Sequence, residues 1–83
     1  MNTRRQNERK FGEWENLPDG CRRYWYDVKG RHGERARYVK EVDSEEKTVR
    51  FYQEIYNNNG KLVEIHLKYP VDEGHIEIKD NKL

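Results

Sequence analysis

The sequence predicts an all-β domain, an antiparallel meander of four to five strands that either stays open or curls into a small barrel. Three observations carry this. Stretches rich in aromatic and β-branched residues recur along the chain, turn signals separate them, and no long segment shows the helical period. With 83 residues there is room for one domain and one thin core.

Residues 1–11 read as a flexible basic arm, because Arg4, Arg5, Arg9 and Lys10 outnumber Glu8. Residues 12–80 make the β domain and 81–83 a polar tail. The domain starts with an edge segment over 12–20, anchored by Trp14 and Leu17 and closed by the turn signal Pro18-Asp19-Gly20. Four strands follow over 22–29, 34–42, 47–56 and 61–69. Pro70 ends the fourth, since proline has no N–H for the ladder. His75-Ile76-Glu77-Ile78-Lys79 then alternates as a short fifth strand.

Charged residues reach 40%, but 17 Lys+Arg against 16 Asp+Glu give a net charge of only +1, which excludes a basic tail or an acidic solvating segment. Leu, Ile, Val and Phe number 16, few enough to suggest disorder, yet six Tyr and two Trp restore the area a core needs. No apolar run approaches the roughly 20 residues of a membrane span, and the start MNTRRQNERK has no apolar secretion signal. A cytoplasmic protein without a membrane partner is expected. The lone Cys21 offers neither an internal disulfide nor a zinc site, and no cofactor is expected.

Side-chain parity follows from the apolar pattern, because a one-residue slip moves every side chain to the other face. A loop centred on His32 pairs Val28 with Ala36, Tyr26 with Tyr38 and Tyr24 with Lys40. A four-residue loop, Asp43 to Glu46, pairs Val42 with Lys47 and Tyr38 with Phe51. Asn58-Asn59-Gly60, with Gly60 left-handed, pairs Asn57 with Lys61 and Ile55 with Val63. The inner face then holds Tyr24, Tyr26, Val28, Ala36, Tyr38, Val49, Phe51, Ile55, Val63, Ile65, Leu67 and Tyr69. No amphipathic helix is read, so Trp14, Leu17, Ile76 and Ile78 cover this face, or the sheet closes, or two copies pack together.

The outer face becomes a charged grid. Arg23–Glu41, Asp27–Arg37 and Arg35–Glu54 oppose unlike charges, which solvates a sheet without any site. Arg50 opposite Lys68 and Glu54 opposite Glu64 oppose like charges, a cost that suggests a bound charge. Trp25, Arg35, Arg37, Arg50, Tyr52 and Lys68 are therefore candidate nucleic-acid contacts: arginine grips phosphate and the rings stack on bases. A nuclease needs one more step. His66 and Glu64 would exchange protons while Arg37 and Tyr52 hold the phosphate, without a metal. Glu54, Glu64 and His66 form too weak a ligand set for a metal centre to be expected.

Across RRYWYDVKGRHGERARYVKEVD and RFYQEIYNNNGKLVEIHLKYPVDEGH, residues 22–75, the chain resembles a family of short prokaryotic proteins known as a domain of unknown function. More loosely it is similar to the small β-rich toxins of toxin–antitoxin pairs, with a tyrosine-rich strand and a late histidine. Those toxins carry a denser histidine cluster, whereas His66 and His75 are nine residues apart with Pro70 between them, so no catalytic residue is carried over. The resemblance implies a cytosolic prokaryotic protein and raises RNA as a partner. The expected function is a small domain binding single-stranded RNA, extending to a metal-independent endoribonuclease of toxin type. The alternative is a non-catalytic protein-interaction or homodimer module, in which Trp25, Val39 and the uncovered sheet face meet a cognate partner or a second copy.

Overall fold

Six antiparallel strands, each hydrogen-bonded to the next in sequence, build one open sheet in the computed structural model, which describes residues 3–78. The strands are β1 (Glu13–Asn16), β2 (Arg22–Lys29), β3 (Arg35–Val42), β4 (Thr48–Tyr56), β5 (Leu62–Tyr69) and β6 (Gly74–Glu77). The meander is as expected. The strand count is one more than the upper expectation, because residues 13–16 pair fully with β2, and the sheet does not close into a barrel. Lys79, given to the last strand from the sequence, and the polar tail lie outside the described residues. Among the described residues no helix is long and apolar enough to cross a membrane.

The basic arm is a helix, α1 (Arg4–Phe11). Thr3 accepts a hydrogen bond from the Gln6 N–H while the Gln6 side chain accepts one from the Thr3 N–H, a reciprocal cap that satisfies two orphan donors. Gly12 ends the helix in the left-handed conformation (φ 84°), donating its N–H to the Glu8 carbonyl. Eight residues make a marginal helix in water, so docking must hold it. Phe11 supplies this, buried against Tyr24 and Tyr26 at centroid distances of 5.8 and 5.4 Å. One turn earlier on the same face, buried Asn7 donates to Glu46 (2.8 Å) and accepts from Lys40 (3.0 Å). Glu46 also accepts from Tyr24 (2.7 Å) and from Arg4 (3.2 Å). The core is therefore Phe11, Tyr24 and Val42, with Tyr26 and Phe51 beside it. It is covered by the helix, not by the segments at the two ends of the sheet.

The hairpin between β2 and β3 has the expected pairing, Val28 with Ala36 and Tyr24 with Lys40. The next hairpin departs from it. Asp43 and Lys47 close a three-residue loop with Glu46 left-handed (φ 66°), and a bulge follows between Glu41 and Val42. Two one-residue changes restore parity but slide β4 by two residues: Tyr38 faces Gln53, Lys40 faces Phe51 and Glu41 faces Arg50. Between β4 and β5 the turn is as expected, with Gly60 at φ 80° and Asn57 bonded to Lys61. Register shifts then occur between Ile55 and Tyr56 and between Phe51 and Tyr52. Across each, β5 advances by one extra residue, leaving Val63 and Lys68 unpaired with β4.

Candidate functional site

These bulges decide what β5 shows. Past the first, Glu54 opposes Ile65, Gln53 opposes His66 and Tyr52 opposes Leu67. Directly opposed residues share a face, so Ile65 and Leu67 lie on the outer face with Tyr52, and Glu64, His66 and Lys68 lie on the inner face. The expected catalytic set of His66, Glu64, Arg37 and Tyr52 is therefore split between the two sides of the sheet and cannot surround one phosphate. Glu54 is likewise separated from Glu64 and His66, the weak ligand set from which no metal centre was expected. The opposition of Arg50 to Lys68 and of Glu54 to Glu64, which argued for a bound charge, does not exist.

What the outer face holds instead is a closed set of ion pairs. Glu41, 6% exposed, accepts from Arg23 Nε (2.8 Å), from two nitrogens of Arg50 (3.0 and 2.6 Å) and from the Tyr52 hydroxyl (3.3 Å). Burial alone would raise its carboxyl. The bonds from Arg50 and Arg23 outweigh that and hold it below the usual carboxylate range. Tyr52 is pushed up to about 12, chiefly by burial and then by the nearby Glu41 charge. Arg37 grips Asp27 with both ends of its fork (2.8 and 3.1 Å), as the sequence suggests. Arg35 does not meet Glu54; it opposes Tyr56, with its guanidinium 4.7 Å from that ring. Trp25 pairs with Val39 as expected, but Val39 is 2% exposed and so is not available to a partner.

Three carboxyls with lowered pKa make a pH prediction. Asp27 is lowered by its Arg37 bond, and Glu46, like Glu41, by bonds that outweigh its burial. A carboxyl whose folded pKa lies below its unfolded value contributes stability above the unfolded pKa, and that stability is lost as pH falls through the folded pKa. Thermal melts should hold a constant Tm above about pH 5 and fall steadily below about pH 4. A Tm unchanged down to about pH 3 would contradict these pairings.

The inner face is arranged differently. Phe11, Tyr26, Tyr38 and Phe51 form a row of rings across the sheet, with Tyr26–Tyr38 at 5.1 Å and Tyr38–Phe51 at 6.5 Å. Lys68 Nζ sits 5.1 Å from the Tyr38 centroid and 5.9 Å from that of Phe51. Between α1 and β4–β5 a groove of about 610 Å³ is lined by Lys10, Phe11, Lys40, Glu46, Lys47, Thr48, Phe51 and Tyr69. Its one carboxylate, Glu46, is already bonded to Arg4, Asn7 and Tyr24. Lys40 is held below its ordinary pKa, first by burial and then by the charge of Lys10. Among the described residues neither of these lysines, nor Lys68, meets a carboxylate within ion-pair distance. Lys47 has only Glu45, at 3.5 Å on the surface.

Towards β6 the same face turns acidic. His66 Nε2 bonds Asp72 (2.6 Å), His75 Nδ1 meets Glu64 (3.2 Å) and the two imidazoles touch at 4.3 Å. The carboxylates make these histidines a clasp holding the last strand, and His66 Nδ1 is out of solvent. Among the described residues no group of three or more His, Cys, Asp or Glu is placed to hold a metal. Lys10, Lys40, Phe51 and Tyr69 are the site residues that sequence reasoning missed. The cap signal Thr3-x-x-Gln6 with Gly12 after Phe11 was the readable clue to the helix that gathers them. Comparison with protein-family models, with curated proteins and with solved structures gives no match to this chain.

Proposed function

We propose that the protein binds single-stranded RNA on the inner face of the sheet, in the groove between α1 and β4–β5. The observation that carries this reading is the crowding of Lys10 and Lys40 beside the rings of Phe51 and the half-exposed Tyr69, with no free carboxylate among the groove's lining. Two ammonium groups that share a groove repel each other, and a phosphodiester between them relieves that repulsion and raises the Lys40 pKa. A single strand fits better than a duplex, because exposed ring faces need unstacked bases. Lys68, above Tyr38 and Phe51, extends the cationic track along β5. The arginines of the outer grid already pair with Glu41 and Asp27, so an anion gains less there than beside lysines that meet no carboxylate.

Fluorescence anisotropy with a labelled single-stranded RNA at several salt concentrations tests the reading. Lys10→Ala with Lys68→Ala should weaken binding about tenfold and reduce the salt slope by roughly 1.4, since each single-strand phosphate contact contributes about 0.7. Trp25→Phe, on the other face, should leave affinity unchanged. RNA that binds the double variant as well as the wild type, or that fails to bind at low salt, sinks the proposal.

A further inference from the structure

The opposite face of β5–β6 carries a second surface, independent of the RNA groove. The two bulges turn Ile65 and Leu67 outward, and Ile76, paired with Ile65, stands beside them 47% exposed. Helix α1 packs chiefly on β1 and β2 and lies on the inner face, so among the described residues the outer face of β5–β6 has no second layer over it. The three side chains line a shallow depression of about 360 Å³ with Tyr52, flanked by Arg50 and Glu54 on the β4 side and Glu73 on the β6 side. Aliphatic side chains in water on a sheet face are a standing cost that association removes.

We propose that two copies of this chain pack face to face through Ile65, Leu67 and Ile76. Self-complementarity argues for a second copy over an unrelated partner. Arg50 and Glu73 flank the stripe on opposite sides. A two-fold axis running along β5 lays the β4 side of one copy over the β6 side of the other, which sets Arg50 against Glu73 of the second copy, and the reverse. Arg50 Nη2 already shares Glu41 but its side chain is 52% exposed, so it keeps donors free for a second carboxylate. A net charge of +1 opposes self-association very little. The dimer leaves both RNA grooves on its outside, where one strand can engage both in succession.

Sedimentation velocity over two decades of concentration reads the outcome. The wild type should pass from monomer to dimer, while Ile76→Lys and, separately, Glu73→Lys should each raise the dissociation constant about tenfold or more. Both positions are exposed, and far-UV circular dichroism confirms that each variant folds. Ile55→Lys, on the inner face, serves as the control and should dimerise like the wild type. Affinity for single-stranded RNA per protomer should be unchanged in Ile76→Lys, which separates failure of the dimer from failure of the RNA reading. A wild type that stays monomeric throughout, a dimer untouched by Ile76→Lys, or one lost only in Ile55→Lys overturns the proposal.

Discussion

Phe11→Ala should destabilise the protein by about 3 kcal/mol, the low end for removing a buried phenylalanine. The ring is 5% exposed and closes the core over Tyr24 and Tyr26, and no other apolar side chain of α1 reaches the sheet. A thin core cannot refill that space by moving a neighbour. In a domain of this size the loss corresponds to a Tm lower by about 15 °C, measured by circular dichroism at 222 nm. The helical signal should also weaken before the sheet melts, because eight residues do not hold a helix once undocked. Phe11→Leu, which keeps most of the volume, should cost less than half as much. RNA affinity should drop in Phe11→Ala even below its Tm, since Lys10 is presented by the turn that Phe11 anchors. A Tm within about 3 °C of the wild type would mean that the helix is not part of the folded core.

That helix marks where the sequence was hardest to read. Its residues are mostly charged, and only Asn7 and Phe11, four apart, face the sheet, so no apolar stripe announces it. The strands were legible because each has its own run of β-branched and aromatic residues between turn signals: β2 starts and ends where the pattern places it, and β3, β4 and β5 differ by one residue at their starts. The face assignment held through β2, β3 and β4, where α1 or the ion-pair grid gives the two sides different environments. It failed at β5. Val63, Ile65, Leu67 and Tyr69 alternate with Glu64, His66 and Lys68 and favour one parity, but neither side of β5 is covered, so burial does not penalise the slip that the bulges introduce. The candidate site moved with that strand: His66, Glu64 and Lys68 went to the inner face, and Arg37, Arg50 and Tyr52 stayed on the outer one. Two lysines do share one groove, Lys10 of the unpredicted helix and Lys40, a pair that no strand pattern brings together.

The outer grid offers the sharpest check on this division of labour, through Glu41→Gln. The substitution keeps the shape of the side chain but removes the charge that Arg23 and Arg50 share, and it aims an amide N–H at donors that already point inward. Charge-assisted bonds contribute about 1.5–3 kcal/mol each, and loss of one partner from a buried pair costs more than a surface pair is worth. Arg50 is half exposed and recovers part of its hydration, so the net cost should be about 2 kcal/mol, or about 10 °C in Tm. The variant should also lose part of the acid limb of the stability profile, because the lowered carboxyl of Glu41 is one of the groups whose protonation produces it. If Glu41 serves structure and the lysine groove serves RNA, the less stable variant still binds RNA through Lys10 and Lys68, and a further Lys10→Ala weakens it as in the wild type. An RNA affinity that collapses in folded Glu41→Gln, while Lys10→Ala does nothing, would return the binding surface to the side of Arg50 and Tyr52.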